Sequence, residues 1–202
     1  MDFKSSKTHQ NLMRAFAGES QARNRYTFAA EFAKEHGLCV LSDVFLFTAD
    51  QERAHAKVFY DHLKELTGEN LNIDAEYPVE VYDTMDKILE AAKHDEYSEY
   101  ENIYRDFGET AKSEGYDAIA ASFNMIAKIE KVHGDRFGEF LKAVKEDKMF
   151  RADGQIYWFC TNCGHIHYAD SAPEQCPVCK HQKGYFIKEG MIPYTEKKII
   201  TF

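Results

Sequence analysis

Glutamate and histidine stand three residues apart twice in this chain, as Glu52 and His55 in ADQERAHAKVF and as Glu130 and His133 in AKIEKVHGDRF. Apolar residues surround each pair at helical spacing: Phe45, Ala49, Ala56, Phe59 and Leu63 around the first, Phe123, Ala127, Phe137 and Phe140 around the second. Positions i and i+3 share a helix face, so each pair points inward with the apolar stripe. An isolated buried carboxylate costs on the order of several kcal/mol unless a cation or a partner neutralises it. Glu19 and Glu96 add one inward carboxylate from each of two further helices. One Glu on each of two helices, with Glu-x-x-His on each of two others, is the ligand set of a di-iron or di-manganese centre inside a bundle. Carboxylate and imidazole suit such metals. A lone Glu-x-x-His usually marks a solvated helix face; two in register with the added glutamates carry the inference.

Glu99 lies one turn from Glu96 on the same stripe and has no equivalent in the first half, where Ala22 follows Glu19 at that spacing. It is either a boundary glutamate that touches solvent or a seventh ligand that gives one metal a choice of partner. A second metal signature comes later. Cys160-x2-Cys163 and Cys176-x2-Cys179 supply four thiolates in two knuckles, enough to enclose one tetrahedral ion. Ligand type does not separate zinc from iron there, and a structural zinc ribbon is the plain alternative. Cys39, apart from this cluster, is expected to be a small core residue at the start of a helix.

Four long helices must position the acidic groups. The first runs through Leu12, Phe16, Glu19, Ala22, Tyr26 and Ala33 and ends at Gly37; the second is expected from about Ser42 to Leu66. The third carries Ile88, Ala92, Glu96, Glu99 and Ile103 on one face and ends at Gly115; the fourth carries Ile119, Phe123, Ala127, Glu130, His133 and Phe140. An internal repeat ties them together. Tyr26, Ala33, Gly37, Phe45, Ala49, Glu52, His55 and Phe59 recur 78 positions later as Tyr104, Ala111, Gly115, Phe123, Ala127, Glu130, His133 and Phe137. Glu96 falls one residue short of that register, which would select Tyr97. Each half is a helical hairpin, and TGENLNIDAEYPVEVYD is the long crossover that sets the two side by side.

The expected architecture is an all-α four-helix bundle over residues 1–146, a linker over 147–156, a small four-cysteine β domain over 157–191 and a tail over 192–202. A chain of 202 residues can bury a real core and form two domains at most. With 44% hydrophobic and 29% charged residues and a net charge of -9, it would repel nucleic acid and anionic membranes. The opening MDFKSSKTHQ has no signal-peptide core and no run approaches a membrane span, so a cytoplasmic location is expected.

Together, AFAGESQARNRY, TADQERAH, EYSEYENIY, IEKVH and CTNCG…APEQCPVC closely resemble the rubrerythrin family, in its order and over residues 10 to 190; only the tail looks additional. The resemblance implies a ferritin-like di-iron bundle followed by a rubredoxin-like domain, and a non-haem peroxidase that reduces hydrogen peroxide to water. By position it makes Glu19, Glu52, Glu96, Glu99, Glu130 and His133 iron ligands, with His55 exchanging against Glu99 as one iron changes oxidation state. It also implies iron at Cys160, Cys163, Cys176 and Cys179, refilled by a reductase or a rubredoxin-type donor, and at least a homodimer. Tyr26 and Tyr104 are then either hydrogen-bond donors to ligating carboxylates or buried structural tyrosines. Two alternatives stay open: a ferritin-like iron oxidase or iron-handling protein, and a non-enzymatic bundle with a zinc ribbon.

Overall fold

The computed structural model describes residues 2–192; the tail expected over 192–202 lies outside them except for Ile192. Helix α1 spans Lys7–Glu35 and α2 spans Cys39–His62. The Ser6 hydroxyl caps α1 by accepting from the His9 N–H at 3.2 Å. Glu114 adds an anion there, accepting from the Lys7 and Thr8 N–H groups at 2.9 Å each, where the helix dipole favours negative charge. At the other end Gly37 takes φ 72°, while the Leu38 N–H bonds to the Ala33 carbonyl and the Gly37 N–H to that of Lys34. That is a Schellman ending, which needs the left-handed conformation glycine adopts without strain. Gly115 repeats it at φ 91°, with bonds from Tyr116 to Ala111 and from Gly115 to Lys112.

Helix α2 starts before Ser42 and does not continue to Leu66; the chain tightens into a 3-10 turn over Lys64–Leu66 that keeps Leu63 and Leu66 buried. The third rod departs further from expectation. It consists of α3 (Met85–Ser98), a π-helical stretch over Glu99–Ile103 and α4 (Tyr104–Ser113). A π turn accommodates one extra residue, and the insertion falls between Glu96 and Tyr104. The repeat therefore slips by one at Glu96 and is restored at Tyr104. It also turns Ile103, expected on the inner stripe, outward to 39% exposure. Helix α5 spans Asp117–Lys145.

Residues 67–84 cross between the hairpins without regular structure. They are fastened to α1 where Arg14 Nε donates to the Asp74 carbonyl at 2.9 Å and the Tyr77 hydroxyl to the Arg14 carbonyl at 2.8 Å. Two apolar clusters flank a polar layer in the bundle. One contains Tyr26, Phe45 and Phe137, the other Tyr104, Phe59 and Phe123, which are repeat equivalents. Their ring stacks match as well, with Phe45 and Phe137 5.1 Å apart and Phe59 and Phe123 4.9 Å apart.

The small domain is a three-stranded antiparallel sheet in the order β2-β1-β3, with β1 at Arg151–Cys160, β2 at Ile166–Ser171 and β3 at Phe186–Lys188. Strand β1 begins inside the segment expected to be linker, because Arg151 already pairs with Ser171 before an irregularity that ends at Ile156. Trp158 is fully buried beside Phe186 and donates from its indole N–H to the Ala169 carbonyl at 3.1 Å. This domain packs on the bundle: Ile187 and Met149 join the cluster of Tyr26 and Phe45. Gly184 lies so close to α1's end that a Cβ there would sit 1.7 Å from the Gly37 carbonyl oxygen.

Candidate metal centres

All four rods deliver side chains to the polar layer. Glu19 comes from α1, Glu52 and His55 from α2, Glu96 from α3, and Glu130 and His133 from α5. Their ligating atoms fall into two groups, each within 4.8 Å: Glu19, Glu52, His55 and Glu130, and Glu52, Glu96, Glu130 and His133. Glu52 and Glu130 belong to both, the arrangement of two bridging carboxylates between two ions. The imidazoles of His55 and His133 stack with centroids 5.6 Å apart. His133 Nδ1 lies 2.9 Å from Glu52 and from Glu130, and 3.4 Å from Glu96. His55 Nδ1 lies 3.1 Å from Glu52, 3.0 Å from Glu130 and 3.8 Å from Glu19.

Glu99 stands outside these groups and only partly buried, because the π stretch carries it to the wall of a cleft of about 420 Å³. Gly18, Tyr77 and Tyr104 line the same cleft. In this structure His55, not Glu99, completes the set around Glu19. The tyrosines cross between halves: the Tyr26 hydroxyl donates to Glu96 at 2.5 Å and the Tyr104 hydroxyl to Glu19 at 2.6 Å, with Glu99 3.5 Å from the latter. Of the two readings of these tyrosines, the hydrogen bonds favour donors to the acidic groups.

The layer fits a pair of cations. Glu19, Glu52, Glu96, Glu130 and His133 are at most 1% exposed. Glu19 Oε2, Glu52 Oε1, Glu96 Oε2, both Glu130 oxygens and His133 Nδ1 have no hydrogen-bond partner, a costly state for buried polar atoms unless an ion takes their lone pairs. Titration without an ion tells the same story. Burial, then the charge of Glu130, pushes Glu19 well above the carboxylate range, and burial, then Glu52, lifts Glu96 to about 8. Glu99 is raised by burial and by Glu19. Burial also opposes ionisation of Glu52, but His133 and His55 outweigh it and hold that carboxyl low. Burial likewise disfavours the charged imidazoles, yet Glu130 outweighs it for His55 and Glu52 for His133, so both are raised. The protein thus recruits protons into the positions that metal charge would fill.

Three residues that the Glu-x-x-His spacing does not single out lie behind His133: Gln51, Thr48 and Arg136. The signal that points to them is a break in the repeat, since positions 129, 126 and 58 are Ile129, Ile126 and Val58.

In the small domain Cys160, Cys163, Cys176 and Cys179 converge. The Sγ separations of 3.7 Å for Cys160–Cys179 and Cys163–Cys176 suit a tetrahedral site with metal–sulfur bonds of about 2.3 Å. Both knuckles turn alike: the Gly164 N–H bonds to the Cys160 carbonyl at 2.8 Å and the Lys180 N–H to the Cys176 carbonyl at 3.0 Å, at φ 77° and 62°. The backbone N–H of His181 lowers the Cys179 thiol to about 5, while burial lifts that of Cys160 to about 12. Cys39 is buried at the start of α2, as expected, and accepts from Gln182 Nε2 of the small domain at 3.7 Å.

These features define a ferritin-like helical bundle with a carboxylate and histidine dimetal cage, joined to a small four-thiolate strand domain. The family model Rubrerythrin matches residues 10–141, and the model Rubrerythrin, rubredoxin-like domain matches residues 158–187. Rubrerythrin-1 of Clostridium acetobutylicum is 45% identical over 185 residues, covering 91% of this chain and 94% of that protein. The rubrerythrin of Nitratidesulfovibrio vulgaris is 42% identical over 183 residues, with 91% and 94% covered. Among solved structures, nigerythrin in a mixed-valence state matches with TM-score 0.62 at 26% identity over 91% of this chain and 90% of that one. The bacterioferritin of Desulfovibrio desulfuricans shares the fold, with TM-score 0.63 at 23% identity over 70% and 82%. The chain belongs to the rubrerythrin family. Its cofactor sites are the di-iron carboxylate and histidine cage and the rubredoxin-like four-cysteine iron site. Among the described residues no helix is long and apolar enough to cross a membrane.

Proposed function

We propose that this protein is a peroxidase that reduces hydrogen peroxide to water with electrons passed from the four-cysteine site to the dimetal cage. The observation that carries this reading is the added carboxylate of Glu99, which the π stretch sets 3.5 Å from the Tyr104 hydroxyl that also bonds Glu19, a group that a plain iron-binding bundle would not need beside His55. Bound iron in its reduced form supplies the two electrons that cleave the O–O bond. The residues do the rest. Glu52 and Glu130, which belong to both groups, would be shared between two ions, with Glu19 and Glu96 each holding one and His133 on the Glu96 side. On the Glu19 side His55 would hold the ion in the arrangement seen here, and Glu99 would be the carboxylate placed to take its position.

The cleft beside Gly18 and Tyr77 gives a small neutral molecule access to Glu99. Two protons must accompany the two electrons. Glu99, which burial and Glu19 push toward the protonated form, lines the cleft and would deliver one, with solvent supplying the other. The Tyr104 hydroxyl, between Glu19 and Glu99, holds the Glu19 carboxylate in place. A rubredoxin-type donor or reductase supplies electrons to the exposed face of the small domain at Cys163, and the working unit is a cytoplasmic homodimer or larger homo-oligomer.

The test is an anaerobic titration of fully reduced protein with hydrogen peroxide, following both iron sites optically. Oxidation of the cage by peroxide, with the ferric tetrathiolate absorption appearing as the thiolate iron passes its electron on, supports the reading. Rapid oxidation by dioxygen with no peroxide preference would instead favour the ferroxidase alternative.

A further inference from the structure

The two halves of the repeat match at the Glu-x-x-His positions and diverge one layer out. Gln51, Thr48 and Arg136 correspond to Ile129, Ile126 and Val58. In the structure the three polar members form one chain that ends on a cage histidine. His133 Nε2 lies 3.1 Å from Gln51 Oε1, and Arg136 Nη1 donates to that same oxygen at 3.2 Å and to Thr48 Oγ1 at 2.8 Å. The Thr48 hydroxyl donates in turn to the Val44 carbonyl at 3.0 Å. Arg136 and Thr48 are buried, and the guanidinium lies over the Phe47 ring at 5.1 Å.

Chemistry fixes the direction of every bond in this chain. A guanidinium only donates, so the Gln51 atom that faces Arg136 is the carbonyl oxygen and not the amide nitrogen. An oxygen there can only accept, so His133 Nε2 must carry the hydrogen. In the neutral ring that a metal would require, the lone pair is then left on Nδ1, the atom that faces Glu52, Glu96 and Glu130. On the other side His55 also turns Nδ1 to the cage. The outer positions equivalent to Gln51 and Arg136 are Ile129 and Val58, which offer neither donor nor acceptor and are partly exposed at 38% and 39%.

We propose that Gln51, oriented by Arg136 and Thr48, is a positioning residue that pins His133 in one tautomer as a permanent ligand, and that the apolar Ile129 and Val58 withhold this anchor from His55 and so let it leave. The inference rests on His133 and His55 being metal ligands, and it locates the asymmetry of the cage in residues that touch no metal.

The test uses full-length protein loaded with zinc, a diamagnetic probe. Long-range 15N–1H spectra give the tautomer of each histidine ring and the solvent exchange of its N–H, and chelator competition gives the affinity of each ion. In the wild type His133 should be bonded through Nδ1 with a slowly exchanging Nε2 proton, and His55 should exchange faster. Gln51→Leu should release the His133 proton and weaken one of the two bundle ions by about 10–100-fold. The four-cysteine zinc should be unaffected. Gln51→Glu, which keeps an acceptor, should restore protection. Ile129→Gln, at a partly exposed site, should slow exchange at His55. Unchanged tautomer and affinity in Gln51→Leu, or zinc on Nε2 of His133, would overturn the proposal. A wild type whose cage histidines show no zinc-bound signal would overturn the ligand assignment beneath it, and would do so before any variant is made.

Discussion

Glu52 and Glu130 occupy a different position from Glu19 and Glu96, because each faces both metal positions while the others face one. Glu52→Ala should therefore keep the fold and the thiolate site but lose both bundle metals, lowering tightly bound iron from three per chain to about one. Glu19→Ala should spare the ion on the Glu96 side. Metal analysis of the two purified variants checks the difference. The same carboxylates set a pH dependence. Glu96 titrates near 8 without metal, and Glu19 and Glu99 are also raised, so a cation must displace protons. Metal uptake should release protons and tighten as pH rises toward about 8. Stability of the metal-free fold should move the opposite way. Above 4.5 the unfolded carboxyl is ionised while folded Glu96 keeps its proton up to about 8, so stability falls with rising pH across that window. The slope is up to about 1.4 kcal/mol per pH unit for each proton retained. The raised imidazoles of His55 and His133 add in the same direction above 6.5. Thermal melts of metal-free and zinc-loaded protein at several pH values should diverge as pH increases.

At the level of elements the π stretch decides most. It moves Glu99 to the cleft, accounts for the slip of Glu96 against the repeat and turns Ile103 to solvent. Nothing in the first half does this, since α1 runs unbroken from Lys7 to Glu35. Deleting Asn102 removes the inserted residue and gives Glu96 and Tyr104 the seven-residue spacing of Glu19 and Tyr26, so α3 and α4 should join as a continuous α-helix. Circular dichroism should show helicity retained or increased. Bound bundle iron should stay, because Glu19 and Tyr26 both meet their partners from an unbroken helix at that spacing, while peroxide turnover should fall as Glu99 leaves the cleft. Unchanged peroxide turnover in that variant would show that the π turn is dispensable.

For the whole molecule the joint between bundle and small domain is closely packed. Gly184 meets the Gly37 carbonyl with no room for a methyl group, next to the Cys39 contact with Gln182. Gly184→Ala should weaken docking by about 1–3 kcal/mol, the usual scale of an overpacked contact. The expected signs are a lower melting temperature and faster proteolysis between residues 146 and 151, with the ferric tetrathiolate spectrum unchanged.

The sequence by itself determined the bundle, its two-fold repeat, both metal signatures and the inward set of Glu19, Glu52, Glu96, Glu130, His55 and His133. It could do so because helical spacing and cysteine knuckles are local patterns whose chemistry survives translation into three dimensions. It misjudged the ends of α2, the start of β1 and the continuity of the third rod, since each depends on which backbone groups find partners after packing. Only the tertiary structure decided that Glu52 and Glu130 are shared, that Tyr26 and Tyr104 reach across to the other half, and that Arg136 stands behind one histidine alone. Those are relations between helices distant in sequence, fixed by how the rods are set against one another and not by the order of residues along any one of them.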